Sequence, residues 1–538
     1  MQKSGKLELA WVGKYEQKEI EPRILVENPE LSYGDQDTGN MLIHGDNLIA
    51  LKALEQEYAG KIKCIYIDPP FNTGAAFEHY DDGIEHSIWL DLMRRRFQLL
   101  YALLSNDGCM FVNLDDSESA YCKVLLDEVF GRGNYLNEII VATNKSFGFK
   151  STSDGIFKQA NHVLFYAKDK DNFVINSKKL FVEKGYDAQY KWVFQNTDQP
   201  EEKWTWRNIN EIVAENLGYT SVAEAKKNSD FLIEVANYAI ENASLVFRTA
   251  SVSGGALLKR KETINISKQK KDRIVRHPND DMDYMFIGGE RVIYYKERLQ
   301  EIDGIMLPAE LITDIWMDIS VEGLATEGGV DFPKGKKPEK LIQRCIELTT
   351  KEGDFVLDSF LGSGTTAAVA HKMGRRWIGI ELGNHAYTHC KIRLDRVVDG
   401  EQGGISKSVN WQGGGGYKFY ELAPSLLVPN PKLPTIKQIN PEYTFEMMCE
   451  AICKLEGFKY KPDGKFQGKS SEQRFIHITK EFVNGEYINS LLANLGEGQS
   501  LLVYGMKIQS DLRLPDNIIV KKIPKDLLDK CTFESEVK

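Results

Sequence analysis

Apolar and polar positions follow two rhythms in the first part of the chain. Short apolar runs predict buried strands at 41–44, 62–67, 108–114, 138–143 and 162–167. Longer runs, in which apolar residues recur three and four positions apart, predict helices at 47–57, 88–104 and 117–130. Strands that alternate with helices in this way are typical of α/β domains.

The rhythm stops after residue 168 and returns near residue 313. Residues 170–310 are heterogeneous, aromatic and locally basic. From 313 to 398 the α/β pattern resumes, with strands predicted at 355–357 and 377–380 and a helix at 365–373.

Both ends of the chain differ from these α/β parts. Residues 1–39 are polar and predict an arm or a loosely packed cap. The glycine-rich stretch 412–417 predicts a flexible junction. Beyond it, helices predicted at 445–455 and 486–495 alternate with strands at 500–504 and 517–521, which indicates a small α/β module.

The tetrapeptide Asp68-Pro69-Pro70-Phe71 directly follows the predicted strand 62–67. The two prolines fix φ, lack N–H donors and force the preceding residue into an extended conformation. The result is a stiff ledge with a carboxylate, fixed carbonyls and an aromatic face. Such a ledge can hold and stack a planar amino-bearing ring, as a methyltransferase must hold an extruded adenine. The alternative is an ordinary turn that Asp68 merely stabilises.

A glycine loop follows the predicted strand 355–357. Gly362 and Gly364 let the backbone approach a ligand closely, and the next helix presents free N–H groups to an anion. Seventeen residues beyond Gly364, Glu381 ends the next strand, where an acid can bind a ribose diol. The run 362–367 also fits the G-x-G-x-x-A fingerprint, so an NAD-linked oxidoreductase is an alternative, but it leaves the tetrapeptide unexplained.

Together these motifs resemble a known family. The tetrapeptide looks like the catalytic motif of amino-methyltransferases that act on DNA, and residues 358–366 resemble their S-adenosyl-L-methionine loop. The catalytic motif comes first, which is the order of the β group of N6-adenine methyltransferases. The resemblance covers about residues 40–170 and 310–400. It implies a permuted Rossmann-like α/β methyltransferase sheet with an inserted target-recognition domain.

The resemblance also implies a division of the chain and the roles of individual residues. The expected parts are an arm at 1–39, methyltransferase segments at 40–169 and 312–400, a target-recognition insertion at 170–311, and a C-terminal α/β module at 401–538. The catalytic residues are expected to be Asp68, Pro69, Pro70 and Phe71, with no metal. S-adenosyl-L-methionine is the implied cofactor, and its expected contacts are Asp46, Lys337, Asp358, Phe360, Gly362, Gly364, Thr365 and Glu381.

Two positions depart from the usual family pattern. Phe71 stands where tyrosine is commoner and keeps the stacking face, and Ser359 replaces the usual proline. Aspartate before the two prolines favours adenine over N4-cytosine, which stays an alternative.

A basic run lies inside the insertion. Residues 259–276 carry eight Lys or Arg against Glu262 and Asp272, a local charge of +6. Such a run is often only a solvated face. Its place between the two methyltransferase segments favours DNA contact, and the candidate residues are Lys259, Arg260, Lys268, Lys270, Lys271 and Arg273.

The arm, the insertion and the C-terminal module resemble modification subunits of type III restriction systems. That resemblance implies double-stranded DNA as substrate, a homodimer, and a separate ATP-dependent helicase-nuclease partner. No complete P-loop spacing occurs in the sequence, so this chain is not expected to hydrolyse ATP. A stand-alone adenine methyltransferase is the alternative, and a DNA-binding module without activity is a third.

Composition adds several bounds. At 538 residues, with 42% apolar and 27% charged residues, the chain is expected to form two or three ordinary globular domains. The net charge of −10 argues weakly against indiscriminate polyanion binding. No membrane span or signal peptide is expected. Eight scattered cysteines without metal-ligand spacing favour a reducing cytoplasm.

Overall fold

The elements of the chain are defined here in a computed structural model. It describes residues 8–16, 20–72, 85–142, 158–278, 284–302, 304–321, 323–333 and 335–528. The chain divides into two compact units. The first combines Met1–Ile175 with Asp314–Lys538, and the second is Asn176–Thr313.

The amino-terminal elements closely match the predicted strands and helices. They are β1 (Leu25–Glu27), β2 (Tyr33–Gly34), β3 (Met41–His44), α1 (Asn47–Tyr58), β4 (Ile62–Ile67), α2 (His86–Leu103), β5 (Leu104–Leu114), α3 (Ser119–Leu126), β6 (Tyr135–Ala142) and β7 (Ala160–Ala167). The predicted helix 117–130 is shorter as an α-helix, because α3 passes into a π-turn at Asp127–Gly131.

The unit Asn176–Thr313 has its own sheets and core. Its elements are β8 (Phe181–Glu183), β9 (Trp192–Gln195), β10 (Thr205–Asn208), α4 (Ile209–Asn216), α5 (Val222–Ala225), α6 (Phe231–Glu241), β11 (Val246–Ala250), α7 (Gly254–Lys259), α8 (Lys261–Gln269), β12 (Val275–Arg276), β13 (Met285–Ile287), β14 (Glu290–Tyr294), β15 (Leu299–Ile302) and β16 (Ile305–Leu311). Among its described residues, β10-β9-β11-β14-β13-β12 form an antiparallel sheet, and β15-β16-β8 form a smaller one.

The carboxyl-terminal part contributes the remaining elements. They are β17 (Ile315–Trp316), α9 (Glu339–Thr349), β18 (Phe355–Asp358), α10 (Thr365–Lys372), β19 (Arg376–Glu381), α11 (Ile392–Val398), β20 (Gly416–Leu422), β21 (Leu427–Pro429), β22 (Lys437–Ile439), α12 (Phe445–Leu455), β23 (Lys459–Tyr460), β24 (Gly468–Ser471), β25 (Arg474–Val483), α13 (Gly485–Leu492), β26 (Ser500–Ile508), β27 (Ile518–Lys522) and α14 (Lys525–Leu528).

One large sheet joins the two segments that the insertion separates in sequence. Its strand order is β1-β20-β3-β19-β18-β4-β5-β7-β6-β17, and β2 also pairs with β20. The strands from β20 to β5 run parallel, and the near-continuous apolar runs of the inner strands β3, β19, β18 and β4 are buried. Leu357 in β18 pairs with Ile65 in β4, so the two strands end at the same edge. This Rossmann-like sheet is the predicted fold class.

Two predictions are wrong: that residues 1–39 form a loosely packed arm or cap, and that residues 412–417 form a flexible junction. Within residues 1–39, β1 and β2 pair with β20 at the edge of the large sheet. The glycine-rich stretch is not a flexible junction, because it leads directly into β20, which pairs in parallel with β3. Tyr417 and Phe419 of β20 are fully buried. The sheet therefore extends well past residue 400.

The predicted α/β module follows β20. Among the described residues, its sheet has the order β23-β24-β25-β26-β27, and β25, β26 and β27 run parallel. The predicted helix 445–455 is α12, and the predicted helix 486–495 ends earlier, as α13.

Other expectations concern cysteines and the membrane. The seven described cysteines are buried and form no disulfides, and Cys531 lies outside the described residues. Within the described ranges, no helix has the length and apolar character needed to cross a bilayer.

Candidate active site

A cleft of about 700 Å³ opens at the carboxyl edge of β4 and β18. Parallel strands place the residues that follow them at one edge of a sheet, where ligand sites of open α/β folds lie. The tetrapeptide after β4 and the glycine loop after β18 both line this cleft. Its walls include Asp68, Pro69, Pro70, Phe71, Phe332, Gly335, Lys337, Asp358, Phe360, Gly362, Ser363, Thr365 and Thr366.

Two side chains hold the Asp68 carboxylate. Asn113 Nδ2 donates to Oδ1 at 2.9 Å, and Lys337 Nζ lies 2.6 Å from Oδ2. Burial raises the pKa of Asp68, and the positive charge of Lys337 together with the hydrogen bonds from Lys337 and Asn113 opposes that rise. The carboxylate is therefore oriented at both oxygens.

The backbone of the ledge is fixed by neighbours outside the motif. Trp89 is fully buried, and its Nε1 donates to the Pro70 carbonyl at 2.9 Å. Asn72 follows Phe71 with a φ of 58°, a left-handed conformation that asparagine tolerates. Asn72 Nδ2 donates to the buried Glu118 at 2.8 Å. These contacts fix the backbone of the ledge as far as Asn72.

Asp358 is a buried acid at the end of β18. Its side chain accepts hydrogen bonds from Phe360 N at 2.9 Å and from Thr366 Oγ1 at 2.6 Å. Burial raises its pKa to about 7, and the charge of Asp68 contributes further. Among the described residues, no cation pairs with Asp358. The site therefore suits a cationic ligand group.

Glu381 holds the glycine loop through a hydrogen bond to its backbone. Gly362 N donates to Glu381 Oε2 at 2.7 Å, and Gly383 N donates to Oε1 at 3.0 Å. His385 Nε2 lies 2.7 Å from Oε1. Gly364 has a φ of 83°, and a Cβ added there would lie 3.3 Å from the Cys390 Cα. The left-handed conformation favours glycine at this position, and a Cβ would crowd the backbone of Cys390.

Three of the predicted cofactor residues do not line the cleft. Asp46 is the N-cap of α1, where it accepts from Leu48 N at 2.9 Å and pairs with Arg96 at 3.3 Å. Glu381 and Gly364 support the glycine loop rather than face the cleft. Their contacts with a cofactor stay predictions.

A buried ionic cluster lies behind the glycine loop. Glu339, Lys372 and Arg393 have fully buried side chains, and Glu339 pairs with Lys372 at 2.9 Å and with Arg393 at 2.7 Å. Arg393 Nη1 also donates to Thr365 Oγ1 at 2.7 Å. The cluster thus connects the start of α10 with the start of α9, the helix that follows Lys337.

The predicted DNA-binding residues lie in the other unit, and they are not alike. Arg260 is 5% exposed, and its guanidinium carbon lies 3.8 Å from the centroid of the Tyr284 ring. This burial argues against the predicted DNA contact at Arg260. The other candidates are exposed: Lys259, Lys268, Lys270, Lys271 and Arg273.

Sequence reasoning missed several residues of the site. Asn113 is a fully buried amide in β5 whose hydrogen bond orients Asp68. A polar residue inside the apolar run 108–114 was the available indication. Phe332 and Gly335 also line the cleft, but they lie in an irregular segment without a recognisable pattern.

A comparison with known families agrees with this geometry. The family model for DNA methylases, N6_N4_Mtase, matches residues 62–391, which hold both cleft motifs. The chain belongs to the DNA methylase family. This membership confirms the predicted resemblance to DNA methyltransferases. It leaves the NAD-linked alternative without support.

Curated relatives of this DNA methylase are restriction-modification proteins. It is 36% identical over 415 residues to the probable type III restriction-modification enzyme HindVI Mod subunit of Haemophilus influenzae, covering 72% of this chain and 54% of the relative. It is 30% identical to the EcoPI Mod subunit of Escherichia phage P1, covering 63% and 56%. The chain thus spans about half the length of the relatives it matches.

A solved structure is also similar to part of the chain. The PvuII DNA methyltransferase, described as cytosine-N4-specific, is 13% identical with a TM-score of 0.31, covering 71% of this chain and 94% of that one. A likeness at this level carries no argument about substrate.

The cleft fits S-adenosyl-L-methionine. The cofactor carries cationic and apolar groups, and Asp358 offers a buried carboxylate beside the rings of Phe71, Phe332 and Phe360. Among the described residues, no group of three or more His, Cys, Asp or Glu could hold a metal ion.

Proposed function

We propose that this DNA methylase transfers a methyl group to the N6 amino group of adenine in double-stranded DNA. The observation that carries the proposal is the Asp68 carboxylate, which lies in one cleft with Asp358 and is oriented at both oxygens. An ionised carboxylate accepts N–H bonds at both oxygens, whereas an ammonium group such as that of Lys337 has only donors.

In the proposed mechanism the target adenine leaves the duplex and enters the cleft. Asp68 and the Pro69 carbonyl each accept one N6–H bond, which directs the nitrogen lone pair away from the ledge. Phe71 stacks on the base, which contributes about 1–3 kcal/mol. Bound S-adenosyl-L-methionine supplies the methyl group. Holding both reactants in contact supplies up to about 7–11 kcal/mol of the barrier.

Asp68 is also the proposed acceptor of the proton that N6 releases. A carboxylate whose pKa is raised by burial accepts a proton more readily than an exposed one. No covalent enzyme intermediate is required.

Adenine rather than cytosine is proposed on two grounds. Aspartate precedes the two prolines, and the relatives with the HindVI and EcoPI names are Mod subunits of type III systems. N4-cytosine methylation is the second candidate, since the same amino-group chemistry applies to it.

We also propose that the chain is the modification subunit of a type III restriction system, acting as a homodimer with a separate ATP-dependent helicase-nuclease. The names of the relatives support this role. The exposed cations at 259–273 are the proposed DNA contacts of the insertion. A stand-alone methyltransferase is the alternative, and co-expression with a neighbouring helicase-nuclease gene followed by co-purification separates the two.

The chemistry is tested by incubating DNA with isotopically labelled cofactor and identifying the labelled nucleoside by mass spectrometry. We expect N6-methyladenine from the wild-type protein and none from Asp68→Asn. Asp171→Asn changes an exposed aspartate outside the cleft and serves as the matched control. Labelled N4-methylcytosine would refute the choice of base, and full activity of Asp68→Asn would refute the role of Asp68.

A further inference from the structure

The Lys337 ammonium stands where the proposed reaction needs the base. Its Nζ lies 2.6 Å from Asp68 Oδ2 and 4.8 Å above the centroid of the Phe71 ring. Stacked aromatic rings keep their centroids about 4.5–7 Å apart. A base stacked on that face of Phe71 would therefore fill the volume that Nζ occupies, and the lysine and the base exclude each other.

The backbone that carries Lys337 is held on both sides. Lys336 Nζ donates to the carbonyls of Ala325 and Glu327, each at 2.9 Å, and to that of Val330. On the other side, Pro338 leads into Glu339 and the buried cluster with Lys372 and Arg393. Lys337 can therefore change its partner by rotation of its side chain alone, which has four rotatable carbon–carbon bonds.

We propose that Lys337 closes the base site in the cofactor-free protein and opens it by exchanging one carboxylate for another. The inference rests on the proposed function. When the cofactor enters the cleft, Lys337 leaves Asp68 and pairs with the cofactor's carboxylate. Asp68 keeps its bond from Asn113, and Oδ2 becomes open to the amino group of the base. Binding is therefore ordered, with the cofactor before the base.

Base entry is measured with a duplex that carries 2-aminopurine at the target adenine, a position identified from methylated DNA. Extrusion of this base raises its fluorescence. For the wild type we expect a rise with S-adenosylhomocysteine, which carries the carboxylate, and none with 5′-methylthioadenosine, which lacks it. Lys337→Met should give the rise without any ligand.

Lys340→Met is the matched control, because Lys340 lies on α9 and pairs with the exposed Asp318 instead. It should behave as the wild type does. In calorimetry, Lys337→Met should bind S-adenosylhomocysteine about tenfold or more weakly, as expected when a charged hydrogen bond is removed, and should bind 5′-methylthioadenosine unchanged.

Several results would overturn the inference. One is a wild type whose fluorescence rises equally with both ligands, which requires no variant to fold. Another is a Lys337→Met protein that needs the ligand as the wild type does, or that loses affinity equally for both ligands. If the wild type methylates DNA, such results refute only the proposed exchange of Lys337 between the two carboxylates. If it methylates no DNA at all, the proposed function fails as well.

Discussion

Replacing Asp358 with asparagine should stabilise the protein without its cofactor at neutral and alkaline pH. The Asp358 side chain is 3% exposed, and burial raises its pKa from 3.8 to about 7. The folded protein therefore binds this proton more tightly than the unfolded chain does. The stability that this proton confers is fully present below the unfolded pKa and is lost as the pH rises through about 7.

The magnitude follows from the size of the pKa rise. From 3.8 to about 7, at about 1.36 kcal/mol for each pH unit, the loss amounts to about 4 kcal/mol. Asparagine does not titrate, so at any pH its Oδ1 can accept from Phe360 N and its Nδ2 can donate to Thr366 Oγ1, which reverses the direction of that hydrogen bond. Between about pH 4 and pH 8 the wild type should therefore lose stability relative to Asp358→Asn. The difference between their free energies of unfolding should change by up to this amount in favour of the variant.

The assay is urea denaturation at several pH values, followed by tryptophan fluorescence. Trp89 and Trp377 are buried in the same unit as Asp358, so they report on its unfolding. Asp171→Asn, an exposed substitution, should show no such pH-dependent difference. The same Asp358→Asn protein should lose affinity for S-adenosylhomocysteine. A stability difference that does not change with pH would refute the reasoning.

Two further predictions concern orientation and DNA contact. Asn113→Ala should lower kcat while leaving the affinity for S-adenosylhomocysteine nearly unchanged, because Asn113 bonds Asp68 and not the glycine loop; an equal loss of both would contradict its positioning role. Replacing the exposed cations by glutamine should weaken the dependence of DNA affinity on salt concentration. The log–log slope should fall by about 0.9 for each phosphate that the protein no longer neutralises, and an unchanged slope would show that these cations do not contact DNA. Arg260→Met should lower the stability of the protein instead. The cations to replace are Lys259, Lys268, Lys270, Lys271 and Arg273.

The core of the site could be predicted because its strands have a strong apolar pattern. β4 and β18 are buried parallel strands, and each ends in a short motif whose backbone requirements are visible in the sequence. Prolines at 69 and 70 and glycines at 362 and 364 restrict or permit particular conformations wherever they occur. The DNA methylase class followed from these two motifs together.

Contacts between distant residues could not be predicted in this way. Nothing in the sequence near Lys337 indicates that its ammonium lies on Asp68, because the contact depends on how α9 packs against the sheet. Arg260 illustrates a missed pattern instead. Arg260 is the N-cap of α8, and its side chain is buried on the same face as Thr263, Ile264 and Ser267. This three- and four-residue spacing indicates the buried face of a helix, but counting the charges of the run does not reveal it.

The glycine-rich stretch was misinterpreted because glycine clusters usually mark loops. The alternation after it, with Tyr417 and Phe419 pointing into the core, was a strand pattern of period two. Hydrogen bonds from Gly414 N to Val398 O and from Asp35 N to Gly415 O hold this stretch against its neighbours. Glycine permits the close backbone approach that the sheet edge requires here.

The central claim is that the cleft at Asp68 methylates adenine at N6. Its most direct test is single-molecule sequencing of genomic DNA from cells that express either the wild type or Asp68→Asn. We expect N6-methyladenine in one sequence context with the wild type and unmodified adenine in that context with the variant. N4-methylcytosine with the wild type, or the same adenine methylation with both proteins, would contradict it.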